Sequence, residues 1–189
     1  LGIKKGDVYN HKLLNERLLY DPAGVMSIYQ DNGYLFSNIN PVEILVENDS
    51  IDIEMRIYEG KQARINRVDI SGNTRTNDHV IVREIRTRPG YLYKRSEVQR
   101  TIRELAQLGY FDPEKLNVDF QPDPVNGTVD LEYLVEEKST DQIELSGGYG
   151  GGIIVGTLGL TFNNFSLRNI FNAKAYHPLP SGDGQRLAL

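Results

Sequence analysis

Val129-Asp130-Leu131-Glu132-Tyr133-Leu134-Val135-Glu136-Glu137 decides the fold, because it alternates strictly and because the chain writes it twice. Val129, Leu131, Tyr133 and Val135 fall on one face of an extended strand, and Asp130, Glu132, Leu134 and Glu136 on the other. The earlier copy is Ile51-Asp52-Ile53-Glu54-Met55-Arg56-Ile57-Tyr58-Glu59. The lead-in repeats as well. Gly90-Tyr91-Leu92-Tyr93 and Gly109-Tyr110-Phe111 precede the second copy, and Gly6-Asp7-Val8-Tyr9 and Gly33-Tyr34-Leu35 precede the first. A recurring unit of this size points to small domains in tandem that recruit partners, rather than to one catalytic body.

Working outward through the later copy gives one whole unit. Ile65, Val68 and Ile70, with polar residues between them, read as a half-buried strand that ends at Gly72-Asn73. Asn77 or Asp78 is placed to cap a helix carrying Val80, Ile81 and Ile85, which Pro89-Gly90 stops. Ser96 and Gln99 have the spacing of a capping box for a second helix with Val98, Ile102, Leu105 and Leu108 on one side. Gly109 ends it. Strands are expected at 116–120 and 128–136, with Asn126-Gly127 as the turn before the second. The order is β-α-α-β-β, an α+β layer of two helices on a three-stranded mixed sheet.

The earlier copy starts late. Gly6 aligns with Gly90, so the first strand and first helix of the unit are absent from residues 1–62. Pro22 and Gly24 should break its remaining helix near Tyr20-Asp21-Pro22. A half-unit this small is expected to lean on its neighbour or on another molecule.

Residues 139–189 differ from both copies. Ile143, Leu145, Gly147 and Tyr149, and then Ile154, Gly156, Leu158, Leu160 and Phe162, each alternate with small or polar residues. One apolar and one Gly/Ser/Thr face suit the wall of a membrane β-barrel. A third such segment begins at Arg186. Without the rest of a barrel this tail is expected to be disordered or to pair with another sheet edge.

Composition narrows the classes. The chain has 189 residues, 39% hydrophobic, with a formal net charge of −5 and no cysteine, which excludes disulfides and thiolate metal sites. No apolar run is long enough for a transmembrane helix, and no apolar leader core follows Lys4-Lys5. The charge is uneven: residues 64–103 hold 10 basic and 4 acidic groups, and residues 104–138 hold 2 and 9.

These features together resemble the POTRA domains of the BamA family of outer-membrane barrel-assembly factors. The residues that carry the resemblance are Gly109-Tyr110-Phe111, the strand that ends at Lys138, the Ser146-Gly147-Gly148-Tyr149-Gly150 opening, and Asn164–Phe171 as the turn between early barrel strands. The resemblance implies that 1–62 is most of the penultimate POTRA domain, 63–138 the last one, and 139–189 the first strands of a truncated β-barrel. It implies an outer-membrane protein of a Gram-negative bacterium with this region mostly in the periplasm. The implied partners are unfolded outer-membrane proteins, accessory assembly lipoproteins, and the membrane through the missing barrel. No enzymatic role, cofactor, metal, nucleic acid or small-molecule substrate is implied. The alternatives are the POTRA region of a two-partner secretion transporter and a soluble POTRA scaffold.

The expected mode of binding is β-augmentation on an open edge strand. In a POTRA layer the second strand of each unit lies at an edge. Here those residues are Val42, Glu43, Ile44, Leu45 and Val46, and Leu116, Asn117, Val118, Asp119 and Phe120. Arg83, Arg86, Arg88, Arg95, Arg100 and Arg103 form a candidate docking face for a folded partner or anionic headgroups, set against the commoner reading of a solvated helix face.

Other features carry less. Gly147–Gly152 lacks the helix and the Gly-Lys-Ser/Thr of a phosphate loop and reads as barrel glycines. His11, His79 and His177 share no ligand spacing and read as solvent-facing. The Asn-x-Ser/Thr matches at Asn48, Asn126 and Asn164 carry no functional weight here.

Overall fold

The computed structural model describes residues 2–4, 6–47, 50–139 and 141–189, with no description of the Glu47 side chain; Asn48 therefore lies outside the described residues. The elements in chain order are α1 (His11–Asn15), a π turn (Glu16–Tyr20), α2 (Val25–Asp31), β1 (Asn38–Glu47), β2 (Ser50–Tyr58), β3 (Arg64–Ser71), α3 (Asp78–Val82), α4 (Arg95–Gln107), β4 (Asn117–Asp123), β5 (Thr128–Leu134), β6 (Gln142–Gly150), β7 (Ile153–Phe165) and β8 (Gln185–Ala188). They form three sheets with strand orders β1-β2, β3-β5-β4 and β6-β7-β8. The class is α+β.

Two compact units divide the chain: Leu1–Val68, Thr87–Gln99 and Phe120–Leu131 in the first, and Asp69–Arg86, Arg100–Asp119 and Glu132–Leu189 in the second.

In the first unit, the helix breaks where Pro22 stands, with Asp21 extended after the π turn. Leu14, Leu18 and Ile39 are buried there, with Tyr9, Val25, Met26, Tyr29, Ile53 and Met55 packed against them. β1 and β2 are antiparallel, and their register shifts between Glu43 and Leu45, which leaves Ile44 as a bulge.

The earlier copy leans on the later one. Its Gly33 carbonyl accepts from the Ala63 amide (2.8 Å). Gly33 has φ +88°, and a Cβ there would lie 2.6 Å from Cγ of Leu92. The expected Ser96/Gln99 capping box is replaced by a contact of the same kind. Helix α4 starts one residue before Ser96, and the Ser96 amide donates to Asp31 of the earlier copy (2.7 Å). Asp31 thus supplies an acceptor to the first turn, where the helix has unpaired amides.

In the second unit, the alternation of the decisive strand holds at Tyr133 and Val135, which are buried. Val80, Ile81, Ile85, Leu105 and Phe111 are buried too. Gly109 takes φ +79° and ends α4 as expected. Asn77 precedes α3 but makes no side-chain cap bond, because its amide group is used elsewhere, as described below.

The tail, expected to be disordered or to pair with another sheet edge, instead has β6, β7 and β8 in a sheet of their own. Pairs Ile143↔Leu160, Leu145↔Leu158, Gly147↔Gly156 and Tyr149↔Ile154 bring the apolar positions opposite each other. Ser146 and Thr157 share a hydrogen bond on the other face. Gly151 and Gly152 take φ +59° and +83°, so the glycine run is a tight hairpin turn. β7 is paired on both sides, with β6 and with β8, and this local pairing orders the segment without a closed barrel. Its apolar side chains remain in the open: Leu145 is 83% and Ile154 81% exposed.

Candidate peptide-binding edges and docking surface

β4 is an edge strand, with β5 as its one neighbour in the sheet. Leu116 precedes the strand, which starts at Asn117 and runs on to Asp123. Val118 points inward, while Asn117, Asp119 and Phe120 are exposed. The Phe120 ring meets Tyr93 edge-on at 6.1 Å. At the far end Asp123 accepts from the Val125 and Asn126 amides and from the Asn126 side chain, which fixes the turn into β5. These bonds hold the Asp123 carboxyl below its ordinary value, with the Asn126 side chain as the largest cause.

β1 is the other candidate edge. Val42 is half-buried, Glu43 accepts from the Tyr9 hydroxyl (2.6 Å), and Ile44, Leu45 and Val46 are exposed. Pro41 lacks an N–H and Ile44 is bulged, so the edge of β1 is interrupted twice.

The arginines do not form one free cationic face. Arg83 pairs with Glu84 (2.9 Å). Arg86 and Arg100 both grip Glu104, at 2.9 and 3.0 Å. Arg95 donates to Ser27 and Gln30. Arg88 and Arg103 are exposed and carry no ion pair among the described residues.

The clamp from Arg86, opposed by burial and reinforced by Arg100, lowers the Glu104 carboxyl from 4.5 to about 2. A carboxyl depressed in the folded state contributes stability that is complete above its unfolded value and lost as pH falls through the folded one. Carbon-detected NMR should therefore show Glu104 still ionised at pH 3.5, with a midpoint near 2.

Sequence reasoning missed a polar cluster in the second unit. Glu137 accepts from the Thr74 hydroxyl (2.8 Å) and from the Arg75 (2.8 Å) and Thr76 (2.6 Å) amides. Burial pushes its carboxyl up, but these bonds outweigh it and hold the group below its ordinary value. Asp183 accepts from Ser166 (2.7 Å) and Asn77 (2.9 Å) and lies 3.5 Å from His79. His79 is exposed, as expected, with this carboxylate beside it. The only sequence signal was Gly182-Asp183-Gly184, which marks a turn but names no partner.

The comparisons with known proteins agree with this architecture. The POTRA family model, described as "Surface antigen variable number repeat", matches residues 63–138. The outer membrane protein assembly factor BamA of Neorickettsia risticii is 33% identical over 89% of this chain and 21% of its own length. BamA of Neisseria meningitidis is 35% identical over 62% of the chain and 15% of its own length. The chain spans about a fifth of the length of these curated relatives. Among solved structures, BamA from Haemophilus ducreyi lacking POTRA domains 1–3 superposes with a TM-score of 0.69 at 21% identity, over 86% of this chain and 30% of that one. POTRA3–5 of Haemophilus influenzae BamA gives 0.54 at 23% identity, over 60% and 44%. Residues 63–138 are thus a POTRA domain of the surface-antigen repeat type, and the chain around them is similar to a stretch of the BamA outer-membrane protein assembly factors.

Proposed function

We propose that this chain is the periplasmic, substrate-receiving part of an outer-membrane protein assembly and insertion factor, and that it holds unfolded outer-membrane proteins by β-augmentation. The observation that carries the reading is the open edge of β4 in the order β3-β5-β4. An edge strand offers N–H and C=O groups whose pairing does not depend on client sequence, which suits a receptor for many barrels. β4 is the better of the two edges. It runs uninterrupted from Asn117 to Gln121, whereas Pro41 and the Ile44 bulge break β1. Residues 1–62, 63–138 and 139–189 serve in this reading as part of the penultimate POTRA domain, the last POTRA domain and the first barrel strands. The activity is that of a holder and guide, not a catalyst. Accessory assembly lipoproteins dock through cations that intramolecular pairs leave available, and Arg88 and Arg103 are the candidates.

The test is backbone NMR of the 189-residue chain titrated with an extended peptide copied from an outer-membrane barrel strand. Shifts should concentrate on 117–121. The same peptide N-methylated at alternate residues should give none, because its ladder donors are gone. Equal shifts with both peptides, or shifts away from β4 and β1, would overturn the β-augmentation reading.

A further inference from the structure

Asn164 is the one non-glycine residue among those described with a positive φ, at 60°. Asparagine tolerates this region better than most residues but still prefers others. The position is buried, and every polar group of the residue beyond its own amide is used. Its side-chain N–H donates to the Thr76 hydroxyl (2.9 Å). Its side-chain oxygen accepts from the Gly184 amide (2.9 Å). Its backbone carbonyl accepts from the Gly182 amide (2.8 Å).

The Gly182-Asp183-Gly184 loop is then gripped from the opposite side. Its Gly182 carbonyl accepts from the Asn77 amide (2.9 Å), its Asp183 carboxylate from the Asn77 side chain (2.9 Å), and its Gly184 carbonyl from the Tyr110 hydroxyl (2.7 Å). A side chain is excluded at Gly182 and crowded at Gly184, and both glycines take positive φ, +126° and +68°. A Cβ on Gly182 would lie 2.9 Å from the Arg75 carbonyl, and one on Gly184 would lie 3.1 Å from Cγ1 of Val80. The gripped segment is itself braced by the three bonds that Glu137 accepts from Thr74, Arg75 and Thr76. No buried side-chain polar atom among the described residues lacks a partner. A satisfied polar network of this kind specifies one arrangement, because any other leaves buried groups unpaired.

We propose that Gly182–Gly184 is a clasp, with Asn164 as its pin, that locks the turn between β7 and β8 onto the 74–79 segment of the POTRA domain. The covalent connection between the two runs only through residues 138–142, so the clasp is what makes POTRA domain and hairpin move as one body. Reorienting the domain against the first barrel strands requires releasing the clasp, not merely bending the connection. The geometry stands apart from the peptide-binding reading, and either can fail without the other.

Amide hydrogen exchange on the whole chain, kept in detergent so that the apolar hairpin stays dispersed, tests it. The reporters are the Asn77, Gly182 and Gly184 amides, and the control is Leu105 within α4. Asn164→Gly keeps the backbone conformation and removes the pin; Asp183→Asn removes the carboxylate. Each should speed exchange at Asn77 and Gly182 by about tenfold or more while leaving Leu105 unchanged. Unprotected Asn77 and Gly182 in the unaltered chain would overturn the clasp, as would unchanged protection in both variants. If Asn164→Gly also speeds Leu105, Asp183→Asn decides the matter on the same two readings.

Discussion

Replacing Gly72 by alanine will destabilise the second unit by at least about 3 kcal/mol, the top of the usual range for a point change. Gly72 ends the first strand of the repeat with φ +93°, and a Cβ there would lie 1.8 Å from the Val135 carbonyl oxygen. That neighbour is backbone, so no rotamer change relieves the overlap. The strands must part instead, and the Val135 amide that donates to Ser71 (2.9 Å) is the first bond lost. Gly109 provides the control. It has a similar φ of +79°, but nothing stands within 4 Å of its missing Cβ. Gly109→Ala should therefore cost only the left-handed strain, about 1–2 kcal/mol. Urea unfolding of the two variants separates conformation from space, provided the slopes match the parent. Equal losses would mean that the close approach at Val135 is not what requires glycine.

The contrast between these glycines marks what a single sequence conveys. A glycine after a strand or helix signals a backbone need, and both positions were legible as turn points. Which of them also faces another backbone at van der Waals contact depends on residues 63 positions away, and no local pattern encodes that. The same division holds elsewhere. The alternation at 128–135 and at 143–160 fixed which side chains face together, and the register pairs Ile143 with Leu160 and Tyr149 with Ile154 accordingly. Element identity and sheet class follow from such periods.

The polar contacts did not follow. Asn77 has the composition of a helix cap, yet its side chain reaches Asp183, and Ser96 has the spacing of a capping box, yet Asp31 supplies the acceptor. In each case a distant group won over the local bond that propensity favours, because a tertiary hydrogen bond satisfies the same polar group. The arginines failed for a related reason. Their clustering in sequence was real, but Glu84 and Glu104 lie among them in the fold and absorb Arg83, Arg86 and Arg100. A run of like charge in sequence is not a charged face until the intervening carboxylates are placed. The candidate edge on β4 was the most local of the functional expectations. It needed only strand order, and the expected range missed the strand start by one residue, at Leu116.

Phe111→Ala will be the most damaging side-chain truncation of the second unit, at about 3–5 kcal/mol. The residue is completely buried and sits two positions past the end of the helix at Gly109, where the chain turns back toward the sheet. It pairs with Glu137 in an isolated bridge, and on either side the Asp112 amide donates to Glu136 and the Lys138 amide to Tyr110, both at 2.9 Å. Losing the ring therefore loosens the same backbone that presents Glu137 to Thr74–Thr76 and Tyr110 to Gly184. A domain of this size has roughly 5–10 kcal/mol in all, so the variant should be close to its unfolding midpoint at room temperature. Phe111→Leu keeps most of the volume and should lose no more than about 1.5 kcal/mol. The pair of variants also ranks two supports of the clasp. If Phe111→Leu leaves global stability nearly intact but speeds exchange at Asn77, the anchoring of the 109–112 turn transmits to the loop at 182–184. If exchange at Asn77 follows only global unfolding, the clasp is set by Asn164 and Asp183 alone.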